Sequence, residues 1–229
     1  MRIWVILAAC LTLLGCTERV PASGEARIIA TGDSLLAWNG GSNRSVVAAL
    51  ETEVDAEVVD RSVAGARYHY ALPISGRLGV RIGAQYVPGP WDWVVMNGGG
   101  NDLWLGCGCR KCDAQLDRLI ADDGADGTVV DTVARARADG ARVIYVGYLR
   151  TPGQPSIIDH CRTWGDAFET RLARMAAQDD GVTFLSIADL VPHGDLSFHD
   201  VDRIHPSPKG SAAIAARIAA VMRARAPDP

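Results

Sequence analysis

Four short stretches hold the residue types that acyl transfer requires. An apolar run, Arg27-Ile28-Ile29-Ala30-Thr31, stops at Gly32-Asp33-Ser34-Leu35. A second run, Ala56 to Arg61, leads into Ser62-Val63-Ala64-Gly65. A third, Trp93-Val94-Val95-Met96, is followed by Gly99-Gly100-Asn101-Asp102. Near the C-terminus stands Asp202-Arg203-Ile204-His205-Pro206. Ester cleavage by a hydroxyl needs a base for its proton, a carboxylate to orient that base, and donors for the oxyanion. Ser, His, Asp, Asn and a backbone N–H at Gly supply such a set.

These stretches can cooperate only if the fold carries them to one place. The apolar runs read as buried strands, joined by two more at Arg142 to Tyr148 and Val182 to Ile187. Helical spacing marks Asn43 to Val54, where Val46, Val47, Leu50 and Val54 share a face. Further helices are expected over Asp113 to Asp122, Gly127 to Asp139, Thr163 to Gln178 and Ser207 to Ala226. The Gly-rich segment Ser75 to Pro90 reads as a surface loop with at most one helical turn. Strands separated by helices imply a parallel sheet covered on both faces, an α/β fold. Sites in such sheets lie beyond the carboxyl ends of the strands, where all four stretches fall.

The chain resembles the SGNH hydrolases, the GDSL esterase/lipase family, in those residues. GDSL at Gly32 to Leu35, Gly65, GGND at Gly99 to Asp102 and DRIHP at Asp202 to Pro206 follow the family's order of blocks. The resemblance implies a three-layer α/β/α sandwich on a mostly parallel five-stranded sheet, similar to flavodoxin. It implies Ser34 as nucleophile, His205 as base and Asp202 as its orienter. Ser34, Gly65 and Asn101 would form the oxyanion hole. It implies no cofactor and no metal. The substrate would be a small-molecule, lipid or acetylated-glycan ester, and the enzyme a monomer. Leu36 departs from the small or hydroxylated residue common after GDSL.

Competing readings attach to several of these residues. Ser34 and Asn101 are also good cap and loop residues. His199 and Asp200 offer a rival base and orienter. Asp33 and Asp102 read as structural acceptors for loop N–H groups. Tyr68, His69 and Tyr70 are candidates for the substrate cleft or for surface packing. Cys107, Cys109, Cys112 and Cys161 can form two disulfides, a four-thiolate zinc site, or a redox pair at Cys109 and Cys112. Disulfides are expected, with at least one bridge to Cys161, because pairing only within the cluster would leave an odd thiol.

The N-terminus reads as an address. Arg2 precedes a twelve-residue apolar run, Ile3 to Leu14, which ends in Leu13-Leu14-Gly15-Cys16. The run is too short to span a bilayer and suits a signal core. It resembles the lipobox of bacterial lipoproteins, which makes Cys16 the lipidated residue, residues 17–26 a polar tether and residues 27–229 the hydrolase domain. The expected location is the bacterial envelope, lipid-anchored and facing the periplasm or exterior; Thr17 favours the outer membrane. Such export also favours oxidised cysteines. With 48% hydrophobic and 22% charged residues the chain is not disordered. A net charge of -4 with scattered Lys and Arg argues against a nucleic-acid partner. A non-catalytic envelope lipoprotein binding glycan or lipid on the same fold is the alternative.

Overall fold

A computed structural model describes residues 26–70 and 78–225. The signal run, Cys16 and nearly all of the tether therefore lie outside the described residues, as does part of the Gly-rich loop.

Five short strands form one parallel sheet: β1 (Ile28–Thr31), β2 (Val58–Asp60), β3 (Trp93–Met96), β4 (Arg142–Val146) and β5 (Val182–Leu185). Their order is β2-β1-β3-β4-β5, with Ile28 opposite both Val58 and Trp93. Alternate residues face opposite sides, and both sides are buried. Ile29, Val94, Met96 and Val143 enter one core with α3 (Asp113–Leu119), α4 (Thr128–Ala138) and α5 (Arg162–Ala176). Ile28, Ala30, Val95 and Ile144 enter the other with α1 (Ser34–Ala37), α2 (Val46–Val54) and α6 (Pro208–Ala224). The result is the three-layer α/β/α sandwich expected from the alternation of strand and helix.

The observed elements are one to three residues shorter at some ends than the periodicity suggests. Helix α2 begins at Val46 because Ser45 caps it, its hydroxyl accepting from the Ala48 N–H at 3.1 Å. Helix α6 is started by Ser207, whose hydroxyl accepts from Gly210 N–H, with Pro208 in the first turn. Its buried face, Ile214, Ala215, Ile218, Ala219 and Met222, follows the helical period. A side chain at Gly210 would run into the carbonyl of Phe198, so glycine there seats α6 against the loop that carries Asp202 and His205. Residues Ile82–Ala84 form a single turn of 3-10 helix, the one turn allowed for in the Gly-rich segment. Among the described residues, no helix is long and apolar enough to cross a membrane.

In this strand order the chain leaves β1 toward β2 and then returns to pair β3 on the other side. The crevice lies where this direction reverses, beyond the ends of β1 and β3. Ser34 follows β1 and Asn101 follows β3.

Candidate active site

Asp33 caps the turn that presents Ser34. One carboxylate oxygen accepts from Leu35 N–H at 2.9 Å, and the other accepts from the Tyr148 hydroxyl at 2.7 Å. The same Tyr148 oxygen accepts from Gly100 N–H at 2.8 Å. Tyr148 thus ties the turn after β1 to the turn after β3, holding Ser34 and Asn101 in one frame. Burial pushes the Asp33 carboxyl above its usual range, against the pull of Leu35 N–H, the Tyr148 hydroxyl and His205.

Ser34 meets His205 across 171 residues of chain: Oγ and Nε2 are 2.8 Å apart. The other ring nitrogen, Nδ1, is 2.5 Å from Asp202 Oδ2. Asp202 Oδ1 accepts from the backbone N–H groups of Ile204 and His205 at 2.9 and 3.0 Å. The carboxylate is therefore braced by its own turn while it faces the ring. Burial raises the Asp202 carboxyl, but the His205 ring and these two amides outweigh it and hold it below its usual value. With the proton on Nδ1, Nε2 is free to accept from the serine, which is the geometry of a Ser–His–Asp relay.

Asn101 and Ser34 both line a cavity of about 130 Å³ at the sheet edge. Asn101 Nδ2 donates to the Ala66 carbonyl at 3.1 Å, which uses one amide hydrogen and leaves a second. Gly65 is not on the cavity wall, but its neighbour Ala66 is the residue gripped by Asn101. Gly65 has φ +76, a backbone conformation that glycine adopts at no steric cost. Gly99, φ +96, lies against the Phe168 ring, where any side chain would collide.

Asp102 supplies the second tie between these loops. It is buried, and its two oxygens accept from Tyr68 and His69 N–H, both at 2.9 Å. Burial pushes its carboxyl up to about 6 despite those amides. Asp33 and Asp102 are thus loop acceptors, as their positions suggested.

Tyr68, His69 and Tyr70 do not line the cavity, so the cleft reading of these rings is corrected. Tyr68 is buried with its hydroxyl 3.0 Å from that of Tyr145. His69 is bonded through both ring nitrogens, to Gln115 and Thr128. Tyr70 donates to the Gly65 carbonyl. Once Asp102 captures the Tyr68 and His69 amides, these rings lie behind the cavity. His199 is likewise not the partner of Ser34: it is buried, and burial lowers its pKa. Leu36 is fully buried in the core with α2 and α6, so its size acts on packing and not on the cavity wall.

The cysteines pair Cys107 with Cys112 and Cys109 with Cys161. All four sulfurs are then consumed, which corrects both the zinc and the Cys109–Cys112 redox readings. Cys109, His160 and Cys161 do lie near one another, but both sulfurs of that group belong to the bridge. The bridge ties the segment Ser156 to Cys161 to the loop after β3, and the cavity runs between them. Leu103, Trp104, Leu149, Ile158 and Ile204 give it apolar walls; Arg150, Arg162 and Arg203 also border it.

Two residues of the site escaped sequence reasoning. Tyr148 lies two residues past the end of β4 and carried no motif. Trp38 lies four residues after Ser34, one helical turn, and that spacing is the signal that places it beside the serine.

The GDSL-like Lipase/Acylhydrolase family model matches residues 30–213. No curated protein matches the chain in sequence. Among solved structures, a candidate SGNH hydrolase from Slackia heliotrinireducens is 24% identical, with a TM-score of 0.54 over 86% of this chain and 99% of that one. A psychrotrophic esterase, EstA, from Pseudoalteromonas sp. is 16% identical, with a TM-score of 0.56 over 86% and 96% of the two chains. A family two carbohydrate esterase from Clostridium thermocellum, solved with cellohexaose, is 17% identical, with a TM-score of 0.56 over 88% and 64%. At these identities the likeness is one of fold.

Proposed function

The chain belongs to the GDSL-like lipase/acylhydrolase family, and from that premise we propose that it is an extracytoplasmic serine esterase that works through an acyl-enzyme. The observation that carries this reading is the chain of contacts from Ser34 Oγ through His205 to Asp202. Ser34 Oγ attacks the acyl carbonyl while His205 Nε2 takes its proton. Asp202 orients the ring and stabilises the imidazolium. Negative charge grows on the former carbonyl oxygen, and the Ser34 N–H and the spare Asn101 amide hydrogen, both on the cavity wall, receive it; the Gly65 N–H joins them only if its turn, next to the Ala66 carbonyl that Asn101 grips, closes toward the bound ester. His205 then returns the proton to the leaving alcohol. Water, activated by the same imidazole, releases the acid.

The apolar walls of the cavity favour an acyl group longer than acetyl, because an acetyl group would leave Leu103, Trp104 and Ile158 without an apolar partner. A series of p-nitrophenyl esters, run beside an acetylated glycan, tests this. kcat/KM should rise from acetyl to a medium chain; a maximum at acetyl, or turnover of the glycan alone, would reverse the assignment.

The reading places the enzyme in the bacterial envelope, anchored through a lipid on Cys16 and held off the membrane by residues 17–26. It is supported by the Leu13-Leu14-Gly15-Cys16 ending and by two disulfides, which persist in oxidising compartments. Membrane fractionation of the full chain beside Cys16→Ser should show the wild type in membranes and the variant released. Wild type free in the periplasm would refute the anchor.

A further inference from the structure

Trp38 is bound into the site but has no part in the mechanism above. It ends α1, its backbone N–H donating to the Ser34 carbonyl at 2.9 Å. Its indole lies flat on the His205 imidazole, with ring centroids 3.7 Å apart and planes 7° from parallel. The indole N–H donates to Asp200 Oδ2 at 2.7 Å. Asp200 belongs to the turn that carries His205: its backbone N–H donates to the His205 carbonyl at 2.8 Å, and its Oδ1 accepts from Val201 N–H. The turn therefore grips the indole that covers its own histidine. Trp38 is not on the cavity wall.

Two consequences follow from this stack. The imidazole is held at Nδ1 by Asp202, at Nε2 by Ser34 and on one face by the indole, so rotation out of the productive plane must displace the tryptophan. The ring also becomes cationic once it has taken the Ser34 proton. A cation over an aromatic face is stabilised, best by indole. Asp200 at the indole N–H draws the ring dipole toward itself and strengthens the negative face. The contact is thus stronger when the proton has moved than before, and only such a difference accelerates the step.

We propose that Trp38 is a positioning residue that holds the His205 ring in plane and stabilises its charged form as the serine proton arrives. The kinetic part rests on the acyl-transfer reading; the contact between the rings does not. Trp38→Leu should lower kcat on an activated ester by about five- to thirtyfold, which cation–π energies of about 1–2 kcal/mol convert to. KM should stay within about twofold, since Trp38 does not touch the cavity. Trp38→Phe, which keeps an aromatic face, should recover to within about threefold of wild type. Unchanged kcat in Trp38→Leu, an effect confined to KM, or a Phe variant no better than Leu would overturn the proposal.

An optical readout separates this from the esterase reading. A protonated imidazole quenches an indole stacked on it. The emission difference between wild type and Trp38→Phe should therefore change between neutral and acidic buffer, and His205→Ala should abolish that change. The control also subtracts Asp33 across the site and His199, Asp200, Asp202 and Arg203 on the same loop. If wild type cleaves no ester, the enzymatic reading fails while this emission test still decides the stack. A pH-independent difference spectrum would overturn the stack whatever the activity.

Discussion

The two disulfides make unequal demands on the chain, and the inequality can be measured. Cys109–Cys161 spans 52 residues of sequence and Cys107–Cys112 spans 5. If a bridge acts mainly by restricting the unfolded chain, the long one contributes about 4 kcal/mol and the short one about 2 kcal/mol. At this chain length each kcal/mol moves Tm by about 2–4 °C, so losing the long bridge should lower Tm by about 8–16 °C and losing the short one by about half that. The perturbation is the paired variant Cys109→Ser/Cys161→Ser against Cys107→Ser/Cys112→Ser, with each pair removed together so that no thiol is left to reshuffle. Circular dichroism melts read the stability. The long bridge also fastens Ser156 to Cys161, one wall of the cavity, to the loop bearing Leu103 and Trp104. Its loss should therefore depress kcat/KM for a longer acyl ester more than for an acetyl ester, with Ser34 and His205 still paired. Equal destabilisation by the two variants, or a larger loss from the short bridge, would refute the loop-length argument. An equal fall on all esters would refute the wall argument.

Asn101→Ala should lower kcat by about 10²–10³ with KM nearly unchanged. It should cost only about 1 kcal/mol of stability, for the lost bond to the Ala66 carbonyl. A large fall in Tm with normal turnover would make Asn101 a loop residue only. Asp102 has its carboxyl raised to about 6 from an ordinary 3.8, so the folded chain holds that proton more tightly than the unfolded one. The stability it contributes is full below about pH 4 and is lost as pH rises through 6, for about 3 kcal/mol in all. Asp102→Asn should flatten the Tm profile between pH 4 and 7, and an unaltered profile would contradict the burial argument. Ser34→Ala and His205→Ala should each cost roughly 10⁴–10⁶ in kcat/KM, and the double variant little more, because the two act as a unit. His199→Ala should retain activity; the reverse pattern would move the base.

The layers of the fold were legible because their signals are local. Strands β1 and β3 are apolar runs that stop at glycines, and α6 opens on Ser207-Pro208 with an apolar face at helical spacing. Ser34, Asn101, Asp202 and His205 were legible because each stands in a short motif at a strand end or loop. The cysteine pairing was not, since it depends on which Cα atoms the fold brings within about 6 Å, and four thiols allow three pairings. Tyr68 and His69 misled because a ring's amphipathic character does not say which way its loop turns. Their direction is set by Asp102, a buried acceptor 33 residues or more away. Tyr148 and Asp33 show the same limit: their bond crosses 115 residues.

The central claim is that Ser34 is a nucleophile armed by His205. A fluorophosphonate reacts with a serine only when its hydroxyl is activated and accessible, and the adduct can be placed by mass spectrometry of the digested protein. The account predicts one adduct, on the peptide containing Ser34, absent in Ser34→Ala and formed far more slowly in His205→Ala. An adduct on another residue, or none in a preparation that still cleaves esters, would contradict it.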